Sequence, residues 1–319
     1  MAQKNGSNQP TVQARKKPLG MQIWFYRWFY VMFLPVLFFV IIMFYLPMFG
    51  VRYAFYDYRP VGEPVWVGMK HFQALFSRDG FWQAFWNTLQ ISIIKLLINT
   101  FMAVVISILL NEITSLAFKK TVQTLIYLPH FMSWVVVASV FSLILSPSAD
   151  GMVNGMLVDW GILKESEKIY FLATPKWWRP IFYIINIWKD TGWGTILYLA
   201  TLSGISPELY EAAQIDGANR LQRMRFITFP ALTNTILTVL ILNLAKVMNL
   251  FESVFVLYND AVIDVSDVLQ TYIYRQTFGQ GVPNYGYTTA VGLFKSLVSC
   301  ILVLGCNYAS KKVRGRGIV

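Results

Sequence analysis

The chain is poor in the residues that build most enzymes. Of its 319 residues two are cysteine, two are histidine, and only 13% are Asp, Glu, Lys or Arg, where a soluble domain carries about a quarter. Each scarcity excludes something. Cys300 and Cys306 share the last apolar run, so no disulfide framework is expected and both read as packing residues. His71 and His130 are too few for an ordinary histidine metal site. No G-x-x-x-x-G-K-[ST] phosphate loop and no H-E-x-x-H is present, so the chain does not bind ATP through such a loop and is no zincin. No nucleophile–base pair stands out. A net charge of +11 would suggest nucleic acid in a soluble protein, but membrane topology accounts for it better and no nucleic-acid partner is expected.

Apolar residues make up 56% of the chain. Several runs approach or exceed the ~20 residues a helix needs to cross a bilayer. The expected fold is an all-α integral membrane protein with six transmembrane helices, at about Trp28–Phe49, Thr88–Leu110, Thr121–Leu145, Ile181–Thr201, Ala231–Val256 and Thr288–Tyr308. Pro129 and Pro180 fall in or beside the third and fourth, which a membrane helix tolerates where neighbours satisfy the freed carbonyl. Residues 1–20 are polar and read as a disordered tail. The apolar run after them is too long for a cleavable signal peptide and lacks a small-residue cleavage site, so it is expected to stay as an anchor. The domains expected are a tail at 1–27, the first span with its outer loop at 28–84, a five-helix core at 85–310 and a basic tail at 311–319.

Lys and Arg in the flanks set the orientation. One side collects Lys4, Arg15, Lys16, Lys17, Arg27, Lys119, Lys120, Arg220, Arg223, Arg225, Lys311, Lys312, Arg314 and Arg316 against only Glu112, Glu208, Glu211 and Asp216. On the other, Arg52, Arg59, Lys70, Arg78, Lys164, Lys168, Lys176, Arg179 and Arg275 are outnumbered by Asp57, Glu63, Asp79, Asp150, Asp159, Glu165, Glu167, Asp260, Asp264 and Asp267. Both termini are therefore expected in the cytoplasm of a multi-pass cell-membrane protein. The outer loops hold Trp66, Trp82, Trp86, Trp160, Trp177, Trp178, Tyr285 and Tyr287, an aromatic belt at the headgroups or a surface for an external partner.

The cytoplasmic stretch "SGISPELYEAAQIDGANRLQRMRFITFP" is polar and helix-prone. Ser206 is a good N-cap, Pro207 fits the first helical position and Glu208 suits the positive helix end. Leu209, Ala212 and Ala213 form a short apolar face. Gly217 permits a bend, a second short helix is expected near Asn219–Phe226, and Pro230 marks the fifth span. Such a helix either lies on the membrane surface or serves a partner. Glu211, Ala212, Ala213, three residues, Gly217, nine residues, Ile227, two residues and Pro230 resemble the EAA motif of permease subunits of binding-protein-dependent ABC importers. The resemblance covers roughly residues 85–310. Leu109–Val137 and the extra first span look like the carbohydrate branch, most like subunits that import oligosaccharides from plant or algal polysaccharides. It implies a MetI-like permease core plus an extra N-terminal span. It also implies a coupling hairpin at about 203–230, in which Glu211, Ala212, Ala213, Asp216, Gly217, Ile227 and Pro230 engage two cytoplasmic ATPase domains. A second permease in a heterodimer and an external solute-binding protein are implied as partners. ATP and Mg would sit on the ATPase, leaving this chain no cofactor.

Lys95, Lys189, Lys246 and Lys295 fall inside the expected spans, with Asp190 and Glu252. Each would cost about 2.5–3.5 kcal/mol at mid-depth facing lipid, so these groups should face protein or a water-filled cavity. At 1.5 Å per residue all four lysines lie roughly 12–15 Å below the outer ends of their helices. Polar faces accompany them: Thr88, Ser92, Lys95 and Asn99; Asn186, Lys189, Asp190 and Trp193; Asn243, Lys246, Asn249 and Glu252. One reading is internal pairing of Lys189 or Lys246 with Asp190 or Glu252. The other is a substrate pathway with surplus positive charge suited to an acidic, uronate-containing oligosaccharide, with Trp188, Trp193 and Phe251 stacking on sugar. The function expected is a transport subunit, not an enzyme, in an ATP-driven oligosaccharide importer working by alternating access. The alternatives are a neutral sugar or other small solute, a membrane enzyme acting on lipid-linked sugar, and a passive channel.

Overall fold

In the computed structural model, residues 18–58, 62–148, 151–279 and 283–314 are described. Lys4, Arg15, Lys16, Lys17, Arg59, Asp150 and Arg316, used above for orientation, lie outside them. The chain divides into two compact units, residues 1–52 and 53–319. The apolar stretch Arg27–Phe55 (α1) is long enough to cross a membrane. It carries Pro35 within its helix and a π-helical turn at Ile41–Tyr45.

In the second unit a two-stranded hairpin, β1 (Tyr56–Asp57) and β2 (Val65–Trp66), pairs antiparallel. The helices α2 (Lys70–Phe76), α3 (Asp79–Asn111), α4 (Leu116–Tyr127), α5 (Trp134–Ile144), α6 (Met152–Asp159), α7 (Pro175–Ser203) and α8 (Pro207–Ile215) follow. Then come α9 (Arg220–Leu244), α10 (Glu252–Phe255), α11 (Leu269–Phe278) and α12 (Tyr285–Arg314). By length and composition α1, α3, α9 and α12 can each cross a membrane, and α4 with α5 makes a fifth if the bent pair is one span. The expected fourth span, α7, has 29 residues, about 44 Å of helix. Its middle is too polar to join the apolar set, through Asn186, Lys189 and Asp190.

Three expected boundaries are corrected. The second span begins at Asp79 rather than Thr88: no proline interrupts it, and Phe81 and Phe85 pack on Phe294 of α12 at 5.3 and 5.7 Å. The third is bent by 100° instead of continuous. Pro129 sits in a 3₁₀ turn at Leu128–Phe131, Met132 and Ser133 are extended, and Ser133 Oγ restarts the helix by accepting the Val136 N–H at 3.3 Å. The fifth stops at Leu244 rather than reaching Val256. There Lys246 N–H bonds Asn243 O and Asn249 N–H bonds Lys246 O, both at 2.9 Å, as tight i to i−3 turns. Non-helical backbone at such depth needs protein partners, and α12 supplies them: Ser299 Oγ donates to Ala245 O at 3.0 Å and Lys295 Nζ to Asn249 Oδ1 at 2.8 Å.

The most extensive helix contact is α3 against α7. Small residues let their backbones approach; a Cβ on Gly194 would lie 3.1 Å from the Ala103 Cβ. At the end of the bundle bearing residues 257–279, polar groups interlock. Arg179 donates from Nε to Val265 O, from Nη1 to Gln90 Oε1 and from Nη2 to Asn87 Oδ1, at 3.0, 2.9 and 2.6 Å. Asn87 Nδ2 donates to Asp264 O and Asp267 O, both at 3.0 Å. Asp267 also pairs with Arg275 and accepts from Thr271 Oγ1. Burial pushes its carboxyl above the usual range, while those two partners pull it back. Trp178 and Tyr287 are fully buried, so neither belongs to a headgroup belt. Trp178 stacks on Phe182 and donates to Leu257 O at 3.0 Å.

Candidate functional site: a lysine-bearing cavity and an exposed hairpin

A cavity of about 510 Å³ lies among α3, α7, α9, the broken end of α9 and the corner of the bent span. The α3 stripe delivers Ser92, Lys95 and Asn99 to it, and α7 delivers Asp190, Trp193 and Tyr198. The break after Leu244 delivers Lys246 and Asn249, with Asn243 just before it. Seven predicted pathway residues therefore meet here: Lys95, Asn99, Asp190, Trp193, Asn243, Lys246 and Asn249. Lys295 lines an adjoining depression of about 360 Å³ that shares Asn249.

The other three go elsewhere. Lys189 is buried; its Nζ donates to His130 O at 2.9 Å and sits 5.3 Å from the centre of the Trp134 ring. Asn186 is fully buried and donates to Phe182 O at 2.7 Å within its own helix. Glu252 opens the separate helix α10 and is exposed, because the expected ridge from Asn243 is broken by non-helical backbone. The internal pairs of Lys189 or Lys246 with Asp190 or Glu252 do not form; Asp190 Oδ1 lies 3.3 Å from His130 Nδ1 instead. Trp193 lines the cavity, whereas Trp188 packs edge-on against Phe141 and Phe251 stacks on Phe255. Thr88, at the end of the α3 stripe, is structural: it accepts the Leu269 N–H at 2.8 Å.

Two features mark the cavity chemically. Neither Lys95 nor Lys246 has a carboxylate in ion-pair contact among the described residues. Ser92 Oγ, Asn99 Oδ1 and Tyr198 OH are buried without a hydrogen-bond partner among the described residues. Native interiors satisfy almost all such atoms, so this concentration suits a polar ligand. His130 lines the cavity with its ring stacked on Trp193 at 4.7 Å and 8°.

At the opposite end, α8 closes in a Schellman motif: Ala218 N–H bonds Ala213 O at 2.8 Å and Gly217 N–H bonds Gln214 O at 3.1 Å. This motif wants a left-handed residue at the position Gly217 occupies, and its φ is +79°. Asn219 then caps the next helix in a box with Gln222, with bonds of 2.9 and 2.7 Å. Ser206 makes no side-chain cap bond, contrary to expectation. The second helix is not separate but runs from Arg220 through a π-helical stretch at Met224–Thr228 into the fifth span. There Phe229 N–H reaches back to Met224 O, and the widened turn holds Ile227 and leads into Pro230. Tyr210 OH and Thr228 Oγ1, 3.1 Å apart, pin α8 to this helix. Glu211, Ala212, Asp216 and Gly217 are exposed and Ala213 half-buried. Leu209, Ile215, Leu221 and Phe226 also stand exposed.

Membrane-length helices around a charged cavity, with a stiff exposed hairpin at one end, make a transport subunit. Residues 101–315 match the family described as "Binding-protein-dependent transport system inner membrane component". The chain belongs to that family, and so is a multi-pass membrane permease component and not an enzyme. It is 40% identical over 308 residues to the polygalacturonan/rhamnogalacturonan transport system permease protein YteP of Bacillus subtilis (strain 168), covering 95% of this chain and 94% of that one. A crystal structure of a bacterial ABC transporter involved in the import of the acidic polysaccharide alginate contains a similar chain. It has 37% identity and a TM-score of 0.84, covering 93% of this chain and 100% of that one. A second, of a bacterial alginate ABC transporter in complex with alginate pentasaccharide-bound periplasmic protein, matches at 36% and 0.84, over 95% and 100%.

Proposed function

We propose that this chain is the permease subunit of an ATP-driven importer of oligosaccharides, acidic ones among them. The observation that carries the reading is the cavity, where Lys95 and Lys246 have no ion-pair contact among the described residues and sit beside bare polar atoms and the Trp193 ring. A carboxylate-bearing sugar would give the lysines the partners that the protein withholds. Its hydroxyls would satisfy Ser92, Asn99 and Tyr198, and a ring face would lie on Trp193. The similar chains named for polygalacturonan/rhamnogalacturonan and alginate transport support this class.

The hairpin end faces the cytoplasm, a reading the basic flanks support. There Glu211, Ala212, Ala213, Asp216 and Gly217 seat on partner ATPase domains, which hold the ATP and Mg. Ile227 and Pro230 pass the movement into the fifth span without an intervening hinge. A second permease completes the pathway beside residues 85–310. A solute-binding protein docks on the opposite end, delivering sugar for alternating access.

The test is uptake by the reconstituted complex of an acidic and a neutral oligosaccharide of equal length. Lys95→Met with Lys246→Met is expected to lower acidic uptake about tenfold or more, the size of one lost charge contact, with little effect on the neutral chain. Equal uptake of both sugars by wild type and variant would favour a second reading, a neutral-sugar permease, for which the stacked His130 and Trp193 rings suffice.

A further inference from the structure

We propose that His130 is a positioning residue that sets the charge of the cavity: it holds Asp190 at the corner of the bent span, out of ion-pair contact with Lys95 and Lys246. This rests on the acidic-substrate reading above. Asp190 is the one carboxylate among the described lining residues. A loose carboxylate beside two lysines that have no ion-pair contact among the described residues would pair with one of them, and the cavity would lose half of its cationic character before any substrate arrived.

The imidazole is the fixed partner in this contact and the carboxylate the held one. Pro129 turns the chain so that His130 faces α7. Lys189 Nζ holds the His130 carbonyl at 2.9 Å, which explains why that lysine is buried and absent from the cavity. The Trp193 ring lies parallel to the imidazole at 4.7 Å and fixes its plane. Gly192 lets the whole corner seat on α7, since a Cβ there would stand 1.9 Å from Ile126 O. Each of these contacts is made by groups other than the Asp190 carboxylate. With a proton on Nδ1, His130 donates to Asp190 Oδ1 across 3.3 Å. Asp190 and its neighbour Lys189 are thus both engaged at the corner, and the cavity presents Lys95 and Lys246 to the substrate.

The experiment measures proteoliposome uptake by the assembled transporter of pentameric oligogalacturonate and of maltopentaose, in wild type, His130→Ala, His130→Asn, Asp190→Asn and the His130→Ala/Asp190→Asn double variant. Releasing Asp190 in His130→Ala is expected to raise the KM for the acidic pentamer about tenfold, the size of one lost charge contact, and at least five times more than for the neutral one. His130→Asn, whose amide nitrogen sits near the Nδ1 position, should recover most of the loss. The double variant should recover it too, because no carboxylate is left to release. An equal loss for both sugars, or a double variant no better than His130→Ala, overturns the proposal and leaves His130 a packing residue. A wild type that does not prefer the acidic pentamer overturns the acidic-substrate reading itself. A wild-type preference that survives in His130→Ala overturns only the role of His130.

Discussion

Arg179 and Lys95 are both cations on long helices of the bundle, and their surroundings are opposite. Arg179 spends all three of its guanidinium nitrogens on named acceptors, and one of them, Asn87, is tied onward to Asp264 and Asp267. Lys95 faces a cavity with no carboxylate in contact among the described residues, next to Ser92 and Asn99 atoms that also lack partners. A polar group that is fully partnered holds the fold. One left bare around a space large enough for a solute is reserved for something that visits. The contrast separates structural from functional polarity within one chain, and substitutions in each region should break in different ways.

The largest effect is expected beside the cavity, at Gly192. The Cβ added by Gly192→Ala would meet Ile126 O at 1.9 Å, and backbone cannot swing aside as a side chain can. The α4 corner must back away from α7, an overpacking cost of about 1–3 kcal/mol or more. The thermal midpoint of the purified complex in detergent should fall accordingly, and a midpoint unchanged from wild type would show that the corner is not seated as described. Next in size is Arg179→Met. It strips the part-buried Asn87 Oδ1 and Val265 O and the exposed Gln90 Oε1 of their donor; water reaches these acceptors, so the loss is about 1–2 kcal/mol in all. Hydrogen exchange should quicken across residues 257–279 while the hairpin end stays protected. Uniform exchange at both ends would deny that Arg179 is a local clasp.

How much of this the sequence disclosed follows the range of the physics. The hairpin was legible because its determinants are local: Gly217 bends the chain and Asn219 caps within three residues of its partner. The α3 stripe was legible because a proline-free helix keeps its period, so Ser92, Lys95 and Asn99 had to share a face. On α7 the same reasoning went astray. Lys189 and Asp190 are neighbours, but successive helical residues point about 100° apart, and one enters the core while the other enters the cavity. The break after Leu244 was hidden because its support, Ser299 and Lys295, comes from another helix. His130 reaches the cavity only through the 100° bend, and Arg179 looked like one more loop charge. Contacts made across the fold decide these, and no periodicity records them.

A smaller effect is expected at Gly217. Nothing lies within 4 Å of an added Cβ, so Gly217→Ala meets no clash and bears only the cost of a left-handed backbone, about 1 kcal/mol. That cost falls on the last turn of α8. The midpoint of the complex should hardly move, while amide exchange at the end of α8 rises and ATP hydrolysis becomes less tightly linked to uptake. A variant with unchanged exchange there would show that the Schellman closure does not stiffen the hairpin.

The smallest effect on stability is the most telling one. Lys95→Met and Lys246→Met keep side-chain length and helix propensity nearly constant and remove charges that no carboxylate among the described residues meets in an ion pair. A cation set in such a cavity is a desolvation cost with no compensating contact, so its loss should leave the midpoint within about 0.5 kcal/mol of wild type or raise it. Arg179→Met, the same cation-to-Met replacement, provides the control in the same assay. If the cavity lysines prove as costly to remove as Arg179, they are partnered and structural, and the division between the two regions fails. If they prove neutral in the fold while acidic-sugar uptake falls, their charge is kept for the substrate alone.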